Sequence, residues 1–381
     1  MRIVGFYHSL LSDWNHGNAH FLRGLVGELR ARGHEVVVFE PRDGWSLRNL
    51  REELGPDALT GFHRAYPGLS SRFYDLETLS LDSALEGADL VLVHEWNEPE
   101  LVRRIGQHRR EGADYALLFH DTHHRMVTTP AEMERYELKH YDGVLAFGEV
   151  LRELYLARGV TDSAWTFHEA ADTRVFQPIV AEREADLVWI GNWGDDERTQ
   201  ELHEFLLEPV HSLGLRASVY GVRYPEPARK ALAASGLRYR GFLPNYRAPE
   251  VFARHAVTVH VPRRPYVRAL VGVPTIRVFE ALACGIPLVS APWTDVEGLF
   301  RVGQDFLSAS DGAAMEQQLR AVLHEPGLAE SLREHGLETI RKRHTCGHRA
   351  EQLLEIARTL GARTRKSPTE VLTGADRCQA T

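Results

Sequence analysis

The sequence predicts an α/β protein of two doubly wound parallel-sheet domains facing one another across a cleft. Three observations predict it. Short β-branched apolar runs alternate with amphipathic stretches along nearly all of the 381 residues, the pattern of parallel strands joined by crossover helices. The alternation comes in two consecutive halves of similar size, each opening strand–loop–helix, and the length suits about two domains at the usual ~100–200 residues each. Polar residues also collect just past strand ends, where ligands bind in open α/β sheets.

Taken in order, Arg2 to Tyr7 reads as a first strand and leads into a polar loop holding Asp13, Trp14, Asn15, His16, Gly17 and Asn18. Ala19 to Arg32 carries Phe21, Leu22, Leu25, Val26 and Leu29 at helical spacing, Gly33 stops it, and His34 to Glu40 is the next strand. The loop lies beside a helix N-terminus, whose free N–H groups favour an anion. It is not a G-x-G-x-x-G loop, so the dinucleotide fingerprint is missing. From Arg42 to Leu81 the pattern is weak. Ala88 to Val93 is a strand ending in His94-Glu95-Trp96-Asn97, and Tyr115 to Phe119 is a strand ending in His120-Asp121-Thr122-His123-His124. Between them Pro99 to Arg110 is a helix with a basic, solvated face. Gly143 to Phe147 and Ala164 to Phe167 complete the first half, and Ala170 to Pro178 is a connection.

The second half starts with a strand at Asp186 to Ile190, a polar loop at Gly191 to Asp196 and a helix at Glu197 to Leu213. Strands follow at Arg216 to Tyr220, Arg238 to Gly241 and Ala256 to Val261, with a helix at Pro225 to Ser235 and a basic loop at Pro262 to Arg268. The stretch after Pro274 is helical up to Cys284, where Gly285 suits a left-handed cap, and Ile286 to Ser290 is a buried strand. Arg277 and Glu280 are three apart on one face of that helix. This is either a salt-bridged edge or a grip on the ribose and phosphates of a nucleotide. Gly312 to His324, Leu328 to Arg343 and Arg349 to Leu360 are further helices, and the chain from Gly361 is polar and aperiodic. The expected organisation is a domain over 1–175, a second over 176–348, a last helix over 349–360 and a disordered tail over 361–381.

Composition narrows the function. The chain is 43% hydrophobic and 26% charged, with a formal net charge of −8, so a surface-wide nucleic-acid footprint is excluded and no nucleic-acid partner is expected. Its three cysteines, Cys284, Cys346 and Cys378, have neither metal nor disulfide spacing. His120, His123 and His124 share one loop without accompanying carboxylates, and His344, Cys346 and His348 match no zinc spacing, so no metal site is expected. The opening MRIVGFYHSL has no signal-peptide layout, and no apolar run approaches the ~20 residues of a membrane span. A cytoplasmic protein is expected, with peripheral docking at a membrane not excluded.

Several pieces, in their order and spacing, resemble the retaining GT-B-fold glycosyltransferases, specifically the large family 4 group and its spore-maturation-protein-like branch. They are His16-Gly17-Asn18 with RGLVGELRARGHEVVVF, then LLFHDTHH, AADTRVFQP, VWIGNWGDDER, PTIRVFEALACGIPLVS and RHTCGHRAEQLLEI. The resemblance covers roughly residues 1 to 360 and implies two Rossmann-like domains, with the last helix crossing back to the first. It also implies transfer from a nucleoside diphosphate sugar, UDP- or GDP-linked, with retention of configuration and with neither cofactor nor metal. The resemblance leaves the acceptor open among a saccharide, a lipid-linked glycan and a small molecule.

By the same resemblance, Glu280 would bind the donor ribose, Arg198 the phosphates, and His120 the reacting sugar. Gly17 and Asn18 fall in the loop approaching the diphosphate, and Leu243 and Pro244 fall where the base is cradled. Gly191 is the second-half glycine, and Asn192 stands where an arginine is usual. Gly272 replaces the usual hexose-binding glutamate. Arg277, or one of Arg263, Arg264 and Arg268, is then the replacement phosphate cation, and Arg277 joins Arg198 as a candidate for stabilising the leaving group. The same departures leave open a catalytically idle nucleotide- or sugar-binding protein and, further off, a phosphorylase or sugar-nucleotide epimerase.

Overall fold

The computed structural model describes residues 1–362, so the expected tail lies outside the described residues from 363 onward. The first domain is built on a seven-stranded sheet of β1 (Arg2–Phe6), β2 (Glu35–Pro41), β3 (Arg72–Tyr74), β4 (Leu90–His94), β5 (Ala116–Asp121), β6 (Gly143–Ala146) and β7 (Ala164–Thr166). Their order in space is β3-β2-β1-β4-β5-β6-β7, and all are parallel. The second domain has a six-stranded parallel sheet of β8 (Ala185–Ile190), β9 (Ala217–Tyr220), β10 (Leu237–Tyr239), β11 (His255–His260), β12 (Leu288–Ser290) and β13 (Leu307–Ser308), ordered β10-β9-β8-β11-β12-β13. Central strands are continuous apolar runs because helices cover both faces of such sheets. Accordingly β4 and β5 are buried at every residue. Each order reverses beside the domain's first strand, at β1–β4 and at β8–β11, and loops that leave a sheet at such a switch point open a crevice.

Helix α1 (Ala19–Ala31) follows the first polar loop. The region that was unreadable between 42 and 81 holds α2 (Trp45–Leu54), a short helix at Thr60–Ala65 and β3. Its signal was weak because α2 buries only Ser46, Leu47 and Leu50, too few for a clear apolar stripe. The single helix expected from Glu197 to Leu213 is divided: a 3₁₀ turn at Asp195–Glu197, an α turn at Thr199–Leu202, a π turn at His203–Leu207 and a final α segment at Glu208–Leu213. Pro209, which has no N–H and whose ring crowds the preceding turn, accounts for the interruption. The basic stretch expected as a loop includes a short helix at Arg264–Arg268.

The last helix, Cys346–Thr359, begins three residues before the expected Arg349. Thr345 caps it, and His348 returns a bond to the cap residue. It crosses back onto α1. The contact is close enough that a Cβ on Gly24 would lie 2.4 Å from Cys346 Sγ and 2.6 Å from Asp172 Cβ. Ala350, Leu353, Leu354, Ile356 and Ala357 join Leu22, Leu25 and Leu29 in a hydrophobic cluster that continues into the second domain through Val188, Phe279 and Phe306. The two domains therefore share one core beneath the cleft.

Candidate active site

Loops leaving the carboxyl ends of both sheets enclose a cavity of about 610 Å³, within the range that ligand sites occupy. The first domain contributes His8, Asn15, His16, Gly17 and Asn18 from the loop after β1, Trp45 from α2, Trp96 after β4, and Thr122, His123 and His124 after β5. The second contributes Gly191, Asn192 and Arg198 after β8, Gly221, Val222 and Arg223 after β9, and His260, Arg263 and Tyr266 after β11. Thr275, Ile276 and Arg277 complete it at the start of the Ile276–Cys284 helix. Among the described residues, the non-glycine positions with positive φ are Asn15 (51°) and Arg223 (58°), and both line the cavity. Such backbone strain collects at functional sites.

The second-domain wall is arranged for an anion. Arg198 donates to the carbonyl of Val261 at 3.1 Å and to Asn192 Oδ1 at 2.9 Å, and its guanidinium lies 5.1 Å from the Trp189 ring centroid. Burial and the neighbouring Arg263 pull its pKa down. A guanidinium nonetheless stays charged in proteins, so an incoming anion relieves this unfavourable charge. Arg263 donates to the same Asn192 Oδ1 at 3.0 Å and pairs with Glu197. Asn192 thus brings two guanidiniums together where the sequence lacks a third. Its amide also donates to Asn15 Oδ1 at 2.6 Å across the cleft.

The Ile276–Cys284 helix presents its N-terminus to the cavity with no side-chain cap. The reason lies in Thr275. Ser290 Oγ donates to the Ala291 carbonyl at 2.8 Å, so it accepts from His260 Nδ1 at 2.9 Å. That leaves His260 Nε2 to accept the Thr275 hydroxyl proton at 3.0 Å. Burial holds the His260 pKa down to about 3, so the ring stays neutral in this chain of bonds.

The site residues expected from the sequence are distributed unevenly. Gly17, Asn18, Gly191, Asn192, Arg198, Leu243 and Arg277 all line the cavity. Pro244 is buried behind Leu243, at the start of the 3₁₀ turn Asn245–Arg247, and does not line it. Of the alternative cations, Arg263 is in the cavity, whereas Arg264 and Arg268 line a separate shallow groove with Val127 and Asp196.

His120 does not line the cavity. It is a strand residue, with its carbonyl taken by the Glu95 N–H at 2.9 Å and its ring packed 5.5 Å from Phe167 and 6.0 Å from Phe21. Residues beyond the strand end, Thr122 to His124, reach the cavity instead. Its ring Nε2 has no hydrogen-bond partner, and burial pushes its pKa down to about 3. The folded state therefore excludes a proton that the unfolded chain takes up below about pH 6.5. Stability from this group is present above that pH and is lost as pH falls from about 6.5 toward 3, at about 1.4 kcal/mol per pH unit. His120→Phe is expected to escape about 2 kcal/mol of the wild-type loss between pH 7 and pH 5, measured by urea unfolding at both values. Parallel losses in the two proteins would contradict this account.

Glu280 is likewise not on the cavity wall. It is 0% exposed, and its two oxygens are taken by His20 Nδ1 of the facing domain, at 2.9 Å, and by Arg277. Burial raises its pKa, but Arg277 and His20 outweigh burial and hold it below the ordinary value. Glu280 reaches the cavity through Arg277, as a positioning residue. Three carboxyls do line the cavity: Asp13, paired with Arg23, Glu197, paired with Arg263, and Glu169, which immediately precedes the predicted connection. The last of these, Glu169, has no such partner. It is 2% exposed, its Oε1 has no hydrogen-bond partner, and burial together with nearby Glu280 pushes its pKa well up. Its signal in the sequence was slight: one acidic residue, after a histidine, just past the last strand of the first half.

Among the described residues no three His, Cys, Asp or Glu side chains are grouped to hold a metal ion, and no helix is long and apolar enough to cross a membrane. A sequence-family profile described as a glycosyl transferase 4-like domain matches residues 16–170, and one described as glycosyl transferase-like matches residues 198–355. No curated protein matches by sequence. Similar solved structures include the sucrose-phosphate synthase of Thermosynechococcus elongatus, at TM-score 0.66 and 15% identity over 96% of this chain and 100% of that one. HepE of Anabaena, solved with UDP and glucose, gives TM-score 0.66 and 14% identity over 95% and 100%. An alpha-glucosyltransferase solved with UDP-glucose and DNA gives 0.69 and 12% over 94% and 99%. At these identities the structural likeness speaks for the fold.

Proposed function

The chain belongs to the glycosyltransferases of the GT-B fold, and on that premise we propose that it transfers a sugar from a nucleoside diphosphate sugar to an acceptor hydroxyl with retention of configuration. The observation that carries the proposal is the gathering of Arg198, Arg263 and Arg277 around an uncapped helix N-terminus on one wall of the cleft. Three guanidiniums and a helix dipole suit a diphosphate. Ile190, Val222, Phe242 and Leu243 form an apolar stretch of the same wall, suited to a base. That two of the similar structures were solved with UDP or UDP-glucose supports a uridine donor as the first to test.

In the proposed reaction the bond between the sugar anomeric carbon and the leaving phosphate oxygen breaks, and its electron pair goes to that oxygen. The acceptor oxygen bonds to the same carbon from the same face, and its proton passes to the departing diphosphate. The protein's part is electrostatic: charge grows on the leaving group, and the arginines and helix N–H groups are already aimed there, with no reorganisation needed as the bond breaks. Asn192 fixes the spacing of two of those arginines. Burial and nearby Glu280 push Glu169 toward its protonated form, in which it donates to a sugar hydroxyl without repelling the diphosphate beside it.

The test is a thermal-unfolding panel with UDP, GDP, ADP, TDP and their sugars. One base is expected to stabilise the protein, by about 2.7 kcal/mol at 100 times its dissociation constant. If none of these nucleotides moves the melting temperature, the reading fails.

A further inference from the structure

The Glu149–Ala157 helix of the first domain begins with no side-chain cap of its own. Its first N–H is taken by the second domain instead: Glu297 Oε1 accepts the Glu149 N–H at 2.9 Å. The other carboxylate oxygen lies 2.9 Å from Nε2 of His168, which follows β7. The domains touch at the same place, where a Cβ on Gly148 would lie 2.3 Å from Val273 Cγ2. Phe147 and Glu169, the chain neighbours of Gly148 and His168, line the cavity, and Val273 leads into Thr275 and Arg277, which line it from the other side. The loop carrying Glu297 also accounts for the glycine at 272. Gly272 has φ 96°, and a Cβ there would lie 2.5 Å from Val296 Cγ2 and 3.6 Å from Glu297 Cγ, so this loop fills the room a side chain at 272 would need.

The protons of this pair can be counted. His168 Nδ1 lies 3.1 Å from the Phe147 carbonyl, which only accepts, so Nδ1 carries a proton. Nε2 faces a carboxylate oxygen, and the helix N-terminus on the other oxygen favours the ionised carboxylate, which also only accepts. The pair is therefore complete only when the ring carries both protons. His20, which pairs with Glu280 across the domains, differs: its Nε2 accepts the Asp172 N–H, so a neutral ring suffices there. The charges around His168 are few. Glu149 is ionised and paired with Arg152. His344 is held neutral by burial, with Arg343 and Arg349 beside it, and Glu169, next in the chain, is pushed toward its protonated form.

We propose that His168 and Glu297 are a positioning pair, a clasp between the domains that closes when the ring takes its second proton and so holds the Arg277 wall against Phe147 and Glu169. As the pH rises and that proton leaves, two sets of lone pairs face each other and the clasp parts. A nucleotide sugar then meets a smaller closed fraction, and its apparent affinity falls in proportion. That consequence rests on the function proposed above; the clasp itself needs no ligand.

The experiment is calorimetric titration of the full chain with UDP-glucose, or whichever nucleotide sugar shifts the melting temperature, at about pH 6 and about pH 8, either side of ordinary imidazole titration. A sugar-linked diphosphate keeps its charge across that range, so the ligand itself does not titrate. Wild-type affinity is expected to be about fivefold or more weaker at the higher pH. His168→Gln offers Glu297 an amide donor that does not titrate, and its affinity should be the same at both pH values. Glu297→Gln offers a donor to the neutral ring while its oxygen still accepts the Glu149 N–H, and it should reverse the dependence. A ligand-induced melting shift shows that each variant is folded. Small-angle scattering of the ligand-free chain tests the clasp apart from the donor reading: the wild-type radius of gyration should grow from the lower to the higher pH, and that of His168→Gln should not. Equal wild-type affinities overturn the inference, as does a dependence of unchanged size in either variant or a wild-type radius that does not move. If no nucleotide sugar binds, the donor reading falls and the scattering alone decides the clasp.

Discussion

Replacing Glu280 with alanine is expected to cost about 3–5 kcal/mol of folding stability, the usual penalty for breaking a buried charged pair. The side chain is fully buried, so the cost is not softened by solvent. Three parts of the chain meet on it. His20 comes from α1, and its Nε2 accepts the Asp172 N–H at 3.1 Å, which leaves Nδ1–H to donate to the carboxylate. The same ring stacks on Phe176 at 4.1 Å, so the domain connection is part of the junction. Arg277 occupies the second carboxylate oxygen. Alanine would leave a buried ring N–H without an acceptor and a guanidinium without its counter-ion. Glu280→Gln keeps an acceptor for His20 and loses only the charge facing Arg277, so a smaller loss is expected. Urea unfolding of the three proteins checks this ordering; an alanine variant as stable as the wild type would remove Glu280 from the junction.

The second large effect is expected on turnover. Arg198→Ala should slow sugar transfer by about 10²–10³, equivalent to about 2.7–4 kcal/mol, the loss typical of removing one preorganised donor to a developing anion. Arg198 is held by three carbonyls, an amide oxygen and the Trp189 face, so its position is set before the substrate arrives. Arg198→Lys should recover little, because an ammonium cannot reproduce the planar fork. The decisive measurement is steady-state kinetics with the donor identified by the melting panel. A fall in kcat with little change in KM assigns Arg198 to the transition state; a change in KM alone would assign it to ground-state binding only.

The sheets were legible in the sequence because strands buried on both faces are short, continuous and β-branched, as in LVLVH and ALLFHD. The close of the Ile276–Cys284 helix was legible for a local reason: Gly285 adopts φ 68° at its cap. The basic loop after β11 was visible too, but which of its arginines turns inward depends on Asn192, seventy-one residues earlier in the chain. His120 and His123 show the limit most clearly. They stand three positions apart in one polar run, yet the strand extends to Asp121, and its last turn into the crevice separates a core ring from a cleft ring. Periodicity locates a strand end only to within a few residues, and here that margin contains the whole distinction. Glu280 was found as the partner of Arg277, but the facing domain that buries it comes from α1, and no local pattern announces such a contact.

The crossover helix has a consequence for biosynthesis. The first sheet is complete at Thr166, yet the side of α1 at Phe21 and Gly24 is covered by the helix that begins at Cys346. At translation rates of about 5–20 residues per second, the nascent first domain waits roughly 10–40 s with that face open while the second domain emerges. The side of α1 at Phe21 and Gly24, where Cys346 seats in the finished protein, would then be the surface for a chaperone to shield, and synonymous changes that slow translation between β7 and the last helix would lengthen the exposure without altering a single residue of the finished protein.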